Sequence, residues 1–332
     1  MKTLYLLGAG ASAETVPTIQ DMKEYFHDIY NLTYKNAPLS QGIPEKLLSD
    51  LELLHKGIVN FGTPDIFAKK CLLSNNFKEY LQTKRALSYY LMIWHIYSGI
   101  DKRYYAFLTA LLNREDSKVT LHPDVMVATW NYDLQYPSAL SALTGKTVEQ
   151  LNTEFDKIYH DYDNDSSFPK SFFRLNGYAG SYLLNQNSSK ASILGEDYSF
   201  LYTQEDSEAR LTSLIELYNH LLDKNDKITY NICYAWDDKE KYHPSKEDLF
   251  TSVSEIEVLV VIGYSFPNFN RNIDKKLVLS MPKLKKVYLQ DKVNYLKHRV
   301  YPIAQTRNLE ILDSDYISDI DQFYIPNEIG DF

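Results

Sequence analysis

The stretch "KTLYLLGAGAS", Lys2–Ser12, decides the fold class, because it runs from an apolar strand directly into a loop with two glycines. Thr3–Leu7 predicts a buried strand, and Gly8 and Gly10 let the backbone turn sharply and approach a ligand closely. Exposed amides in such a loop, with a helix dipole behind them, favour a phosphate group. The spacing lacks the third glycine of the dinucleotide fingerprint, so a tight strand-to-helix turn without a ligand remains an alternative.

Further apolar runs predict the other strands of the same sheet. They are Val125–Trp130, Phe172–Leu175, Ile228–Tyr234, Glu257–Ile262 and Lys286–Leu289, with Leu309–Leu312 as a candidate edge strand. The run at Glu257–Ile262 is nearly continuous in Val, Ile and Leu, which is typical of a parallel strand covered on both faces.

Helical patterns alternate with these strands. Residues 18–30 predict a helix capped by Thr18, and residues 208–222 carry an apolar stripe at helical spacing. More than a hundred residues separate the first two strands, so residues 31–120 predict a helical insertion. The expected fold is α/β, a Rossmann-like doubly wound parallel sheet with that insertion after the first strand. One domain would span residues 1–312, followed by an acidic aromatic tail at 313–332.

Composition excludes several classes of function. The 332 residues include 35 basic and 44 acidic side chains, a formal charge of −9, which disfavours direct binding of a nucleic-acid backbone. The sequence has no apolar run long enough to cross a membrane and no secretory signal, so we expect a cytoplasmic protein. Cys71 and Cys233 lie far apart without a CxxC motif, which predicts two reduced, buried thiols.

Polar residues follow the ends of the predicted strands. Asn131 and Asp133 follow the second strand, Asn176 the third and Asp291 the sixth, while a second glycine loop begins at Gly263. Asn131 and Asp133 could simply cap a turn, and Asp291 could be an exposed turn acid. If the strands are parallel, all of these residues meet at one edge of the sheet, where a dinucleotide would stretch.

The order of these motifs resembles the sirtuin-like superfamily, particularly its divergent bacterial branch found in anti-phage defence. "GAGAS", "VPT", "WNYD", "LNG" and "GYSFPNFN" follow the family's order over roughly residues 3 to 292. The resemblance implies an NAD+-binding fold that cleaves the nicotinamide–ribose bond to nicotinamide and ADP-ribose. It also implies that Asn131 holds the ribose and positions a water, that Asp133 holds the carboxamide, and that Asn176 occupies the position of the catalytic histidine.

The resemblance further implies that both glycine loops bind the nucleotide, with the first cradling the pyrophosphate and nicotinamide ribose and the second contacting the adenosine half. The predicted binding residues are Gly8, Ala9, Gly10, Ala11, Ser12, Pro17, Thr18, Gly263, Tyr264, Ser265, Phe266 and Asp291.

The chain departs from the family pattern at several positions. Thr15 stands near the place of a family glycine, Asn176 replaces the histidine, and Asn270 replaces an aspartate. The zinc-binding cysteines of deacylating sirtuins are absent, so we expect no zinc and no lysine deacylation. An amide cannot take up a proton, and general-base help is typically worth about 10²–10⁴ in rate.

Three functions therefore stay open. The chain could be a conditionally active NAD+ hydrolase, with His160 or His122 as a substitute base. It could be a pseudoenzyme subunit that binds NAD+ without cleaving it, or an interaction module without a ligand. Since uncontrolled loss of NAD+ kills the cell, the resemblance also implies a partner or sensor protein from the same operon, and self-assembly into a homo-oligomer.

Overall fold

A computed structural model describes residues 1–19, 21–37, 44–115, 118–145, 171–184, 189–192, 207–222, 228–237, 246–292, 296–305, 312 and 315–330. The strands are β1 Thr3–Leu7, β2 Leu112–Glu115, β3 Lys118–Leu121, β4 Val125–Thr129, β5 Phe172–Arg174, β6 Gly177–Leu184, β7 Ser189–Ser192, β8 Ile228–Ile232, β9 Val258–Ile262, β10 Lys286–Gln290 and β11 Tyr316–Ile317. The α-helices are α1 Phe26–Lys35, α2 Glu45–Phe61, α3 Pro64–Leu73, α4 Phe77–Ser98, α5 Lys102–Leu111, α6 Gln135–Thr144, α7 Ser207–Leu222, α8 Lys246–Ser252, α9 Arg271–Leu279 and α10 Leu296–Ala304.

Six of these strands form one sheet in the order β11-β10-β9-β1-β4-β5, and every neighbouring pair in it is parallel. Side chains alternate between its faces: Leu4 and Leu6 enter one apolar core, while Tyr5 and Leu7 enter another. Helices α8, α9 and α10 cover the first face, and α5 and α6 cover the second. The predicted class, a Rossmann-like α/β fold with a parallel sheet, is therefore confirmed.

The long interval between β1 and β4 is mostly helical. Helices α1 to α5 fill it and are followed by the antiparallel hairpin of β2 and β3. Helix α4 lies at the centre of a separate apolar core, where it packs against α2, α3, α7 and the strands β6 and β8. This core gives the insertion its own hydrophobic support beside the sheet.

The strand at Ile228–Ile232 does not join the parallel sheet, contrary to the prediction. It pairs antiparallel with β6, and β6 pairs antiparallel with β7, in a separate three-stranded sheet. Its sequence, ITYNI, alternates apolar and polar residues, which suits an antiparallel sheet better than a strand buried on both faces. At the edge of the main sheet, β11 pairs with β10, Leu312 lies outside any strand, and residues 309–311 lie outside the described residues.

The first helix also begins later than predicted. The Thr18 hydroxyl donates a hydrogen bond to the Asp21 carboxylate at 2.6 Å instead of capping a backbone amide, and residues 21–25 form turns before α1 begins at Phe26. Among the described residues, the first glycine loop thus contains a short 3-10 helix, Ala9–Ser12, but is not followed directly by an α-helix. By contrast, α7 buries the predicted stripe of Leu211, Leu214, Ile215, Tyr218, Leu221 and Leu222.

The described part of the tail lies against the sheet and α5. Phe323 is buried, with its ring centroid 4.9 Å from that of Tyr104 and 5.5 Å from that of Phe107. The Gln290 amide donates to the carbonyls of Asp319 and Gln322, both at 2.6 Å. The division of the chain at residue 312 stays a prediction.

Candidate functional site

The two glycine loops cross each other at the carboxyl edge of the parallel sheet. The Gly8 amide donates to the Ile262 carbonyl, and the Gly10 amide donates to the Gly263 carbonyl, both at 2.9 Å. A Cβ atom added at Gly8 would lie 2.5 Å from the Tyr264 Cα, and one added at Gly10 would lie 2.7 Å from the Gly263 Cα. The close approach of two backbones thus accounts for these glycines, and the Gly10 amide is already used within the protein.

Next to this glycine crossing, formed by residues 8–10 and 263, lies a cavity of about 140 Å³ that we call the inner cavity. Its walls come from the loops after β1, β4, β5 and β9 and from helices α3 and α4 of the insertion. Its polar lining residues are Asp65, Trp130, Asn131, Tyr132, Asp133, Asn176, Tyr264, Ser265 and Asn270. Parallel strands thus bring polar residues from three loops, those after β4, β5 and β9, to one place.

A larger cavity of about 520 Å³, which we call the outer cavity, is also lined by residues of the glycine crossing. Both cavities share lining residues, including Ala9, Gly263 and Ser265, so they adjoin each other. The outer cavity also meets Arg103 of α5 and Asp291 after β10. Its volume lies within the range of roughly 300–1,000 Å³ that is usual for small-molecule sites.

Asn131 is held in place by the first glycine loop. Its side-chain amide donates to the Gly8 carbonyl at 2.9 Å and to the Ser12 Oγ at 3.3 Å. The Ser12 hydroxyl in turn lies 3.0 Å from the hydroxyl of Tyr104 on α5. Since Asn131 and Ser12 are both buried, this network fixes the orientation of the Asn131 side chain.

Three residues of the inner cavity have buried polar atoms that the described part of the protein does not satisfy. The atoms are Nε1 of Trp130, Oδ1 of Asn176 and Oδ1 of Asn270, and none has a hydrogen-bond partner among the residues that the structure describes. The amide groups of both asparagines do have partners, the Trp130 carbonyl at 3.0 Å and the Tyr264 hydroxyl at 2.8 Å. One donor and two acceptors are thus left over, and an unpaired buried polar group costs about 1–3 kcal/mol.

Two carboxylates in the wall of the inner cavity hold protons more tightly than usual. Burial raises the pKa of Asp133 to about 6, although hydrogen bonds from the Gln135 amide and Ser12 oppose the shift. Burial likewise raises the pKa of Asp65 to about 6, against a hydrogen bond from Tyr132. Both groups therefore change charge close to neutral pH.

A third carboxylate lies behind the cavity wall. Asp274 on α9 accepts hydrogen bonds from the Tyr264 hydroxyl at 3.0 and 3.2 Å. Burial raises the pKa of Asp274 to about 7, and the bond from Tyr264 opposes the shift. The Tyr264 ring also stacks on Trp130 with a centroid separation of 5.8 Å, so this carboxylate supports the wall from behind.

Most of the residues predicted from sequence line one of the two cavities. Those in the inner cavity are Gly8, Ala9, Pro17, Asn131, Asp133, Asn176, Gly263, Tyr264 and Ser265, while the outer cavity is lined by Ala9, Gly10, Thr18, Gly263, Ser265 and Asp291. Ala11, Ser12 and Phe266 line neither cavity. Ser12 acts through its contact with Asn131, and Phe266 packs on the Tyr264 ring in the core.

His122 is placed where it cannot act as the substitute base. It precedes β4, whereas Asn131 follows that strand, and its ring contacts the Asp124 amide and the Gly330 carbonyl. A five-residue strand separates the two ends by roughly 16 Å. His160 lies outside the described residues.

Sequence reasoning missed Trp130, Asp65 and Arg103. Trp130 could have been found, since it directly precedes Asn131 in the same strand end. Asp65 and Arg103 belong to the insertion, where "TPD" and "DKR" give no hint of a site. The Arg103 guanidinium is paired with Asp101 at 2.6 Å and also donates to the Ala11 carbonyl at 3.1 Å, which ties α5 to the first glycine loop.

Cys71 and Cys233 are both buried. Among the described residues, no group of three or more His, Cys, Asp or Glu side chains is placed to hold a metal ion. In the same part of the chain, no helix combines the length and apolar character needed to cross a bilayer.

No protein-family model matches this chain, and no curated protein matches it. Among solved structures, the chain is similar to one described as "Structure of Sir2Tm bound to a propionylated peptide". The alignment covers 96% of this chain and 87% of that chain, at 12% sequence identity and a TM-score of 0.33. A similarity this loose establishes no family, so the assignment of fold class rests on the sheet topology alone.

Proposed function

We propose that this chain binds NAD+ across the two cavities and hydrolyses its nicotinamide–ribose bond, releasing nicotinamide and ADP-ribose. The main support is the set of unsatisfied buried atoms of Trp130, Asn176 and Asn270 in the inner cavity. A carboxamide and ribose hydroxyls offer the donors and acceptors that these atoms lack. The outer cavity, with Asp291 at the end of β10, would take the adenosine half.

Asn131 would carry the central role in this reaction. Its side-chain amide is held by Gly8 and Ser12, so its remaining acceptor has a fixed direction for a ribose hydroxyl or a water. Cleavage leaves positive charge on the ribose while nicotinamide departs neutral. Fixed dipoles around the ribose lower the energy of that charged state without reorganisation.

The direct test is release of free nicotinamide by the purified chain incubated with NAD+. We expect Asn131→Ala to lower the rate by about 10²-fold or more, since it removes a positioned dipole. Asn36→Ala is a matched control, because Asn36 and Asn131 are both 7% exposed and Asn36 lines neither cavity. Release that survives Asn131→Ala at the parent rate would show that the assignment of Asn131 is wrong.

A nucleotide-binding pseudoenzyme is the second candidate, and the side chain of Asn176 favours it. An amide cannot titrate, and neither cavity is lined by a histidine from the described part of the chain. Thermal stabilisation by NAD+ or ADP-ribose without nicotinamide release would support this candidate, as would activity that appears only in Asn176→His. No thermal shift with either ligand would leave only an interaction module.

We also propose, from the motif resemblance, that the hydrolase is a cytoplasmic, conditionally activated effector in anti-phage defence. Its activity would be held back until a partner or sensor protein from the same operon responds, and it would assemble as a homo-oligomer. Nicotinamide release measured with and without the operon neighbour, together with the mass of the complex in solution, tests both points.

A further inference from the structure

We propose that Asp65, on helix α3 of the insertion, is the general base that replaces the missing histidine in the hydrolysis proposed above. This inference rests on that proposed function. Asp65 lines the inner cavity together with Asn131 and Asn176, although it lies far from both in the sequence. The insertion would thus supply a group that the strand ends of the sheet lack.

Stabilisation of the start of α3 does not explain why Asp65 is buried. It is the second residue of α3, after Pro64, and Thr63 already caps the helix by accepting a hydrogen bond from the Ile66 amide. An acid in the first turn stabilises a helix equally well from the surface. Asp65 is only 3% exposed, and burial of a carboxylate is costly unless it is paired and hydrogen-bonded.

Three groups that face Asp65 are uncharged, so its carboxylate can accept a proton. They are the phenols of Tyr132, Tyr234 and Tyr264, which approach from the loops after β4, β8 and β9. Burial raises the pKa of each phenol well above its usual value, so all three are neutral at physiological pH. Lys84 lies 5.7 Å from the centroid of the Tyr234 ring, but its charge is paired with Asp237.

Asp133, the other carboxylate of the cavity, is already engaged. One of its oxygens accepts the Gln135 amide at 3.0 Å, and its carboxylate also accepts a hydrogen bond from Ser12. Asp65 also accepts a hydrogen bond from its own backbone amide, and its side-chain partner, the Tyr132 hydroxyl, is more distant at 3.3 Å. Because burial raises the pKa of Asp65 to about 6, its carboxylate is both ionised at pH 7 to 8 and a stronger base than an exposed aspartate.

The proposed step conserves atoms and charge. The ribose–nitrogen bond breaks, and its electron pair leaves with nicotinamide, which becomes neutral. The oxygen of a water forms a bond to the same ribose carbon and yields ADP-ribose, while one proton of that water moves to Asp65. Loss of this proton to solvent restores the carboxylate for the next turnover.

The test compares nicotinamide release by the full chain and by Asp65→Asn between pH 5 and 8.5. We expect Asp65→Asn to lower the rate by about 10²–10⁴-fold at pH 8. The deficit should shrink towards pH 5, where the parent carboxylate is protonated. Asp315→Asn is the matched control, since Asp315 is also 3% exposed but lines neither cavity.

Two more variants test whether Asp65 acts as a base or only supports the structure of the cavity. Formate should restore part of the activity of Asp65→Ala, while chloride at equal ionic strength should not. Tyr132→Phe removes the hydrogen bond that lowers the pKa of Asp65, so the acid limb of its pH profile should move to higher pH. Thermal stabilisation by NAD+ should persist in Asp65→Asn, which confirms that the variant folds and binds.

The outcomes distinguish this inference from the proposed function. If the parent releases nicotinamide and Asp65→Asn does so at an equal rate throughout the pH range, Asp65 is not the base and the hydrolase assignment stands. A deficit in Asp65→Asn that is constant with pH, combined with no rescue by formate, also overturns the assignment of Asp65. A parent that releases no nicotinamide at any pH, either alone or with its operon neighbour, overturns both.

Discussion

The glycine crossing and the inner cavity adjoin each other at the carboxyl edge of the sheet, yet their polar groups differ in one respect. In the crossing, the Gly8 amide donates to the carbonyl of Ile262 at the end of β9, and the Gly10 amide donates to that of Gly263 in the loop that follows. In the cavity, polar atoms of Trp130, Asn176 and Asn270 are buried without a partner in the described structure. The crossing therefore adds to stability, whereas the cavity wall subtracts from it.

This difference shows that a motif at the end of a strand can reflect either backbone packing or the binding of a ligand. The glycines form the strongest pattern in the sequence, but backbone packing is sufficient to explain them. The asparagines form a weaker pattern, but packing leaves their acceptors unsatisfied. A buried polar atom that the protein leaves unpaired is a better indication of a ligand than a glycine that the fold already requires.

The largest expected effect comes from Gly263→Ala, in the crossing. Gly263 has a φ of +60°, and an added Cβ would lie 2.4 Å from both the Ala11 nitrogen and the Gly10 carbonyl carbon. Strain and overlap together should lower the free energy of unfolding by about 3–5 kcal/mol, measured by urea denaturation.

The control for this variant is Gly145→Ala, which separates backbone strain from overlap. Gly145 ends helix α6 with a φ of +67°, and an added Cβ would meet no heavy atom within 4 Å. Only the left-handed conformation should matter there, at about 1–2 kcal/mol. Equal losses in both variants would mean that the crossing is not a tight contact.

An intermediate effect is expected from Asp274→Asn, behind the cavity wall. The pKa of Asp274 rises from 3.8 to about 7 on folding, so the folded chain binds this proton more tightly than the unfolded chain. Its contribution to stability is therefore complete below about pH 4 and is lost as the pH rises through 7. One such proton changes the free energy of unfolding by at most about 1.4 kcal/mol per pH unit.

Asparagine has no charge at this position and can still accept the Tyr264 hydrogen bond. Asp274→Asn should therefore lose stability less steeply than the parent between pH 5 and 8, as measured by thermal unfolding across that range. The exposed Asp321→Asn should leave the slope of the parent unchanged. An unaltered slope in Asp274→Asn would contradict the raised pKa.

The smallest change in stability is expected from Asn176→Leu, in the cavity wall. Leucine has a similar shape, removes the unsatisfied acceptor and also removes the donor to the Trp130 carbonyl. These effects oppose each other, so the free energy of unfolding should stay within about 1 kcal/mol of the parent. Stabilisation by NAD+ should be lost in the same variant. A loss of stability as large as in Gly263→Ala would remove the distinction between crossing and cavity.

Local sequence determined five of the six strands of the parallel sheet, all except the edge strand β11, and the positions of the polar strand ends. The continuous apolar run before Gly263 has one stable placement, a strand covered on both faces, and the same holds for Thr3–Leu7 before Gly8. Because such strands are parallel, Asn131 and Asn176 had to meet at one edge. The strand at Ile228–Ile232 was misplaced because an apolar run indicates a strand but does not specify its partner.

Only the tertiary structure decided what surrounds these strand ends. The packing of α3 and α4 brings Asp65 into the inner cavity, and the contact of α5 with the first loop brings Tyr104 to Ser12. The tertiary structure also decided that the Gly10 amide donates its hydrogen bond to the Gly263 carbonyl. The physical reason is that strand and turn patterns depend on neighbouring residues, whereas the raised pKa of Asp65 and the unpaired acceptor of Asn176 depend on burial by segments distant in the chain.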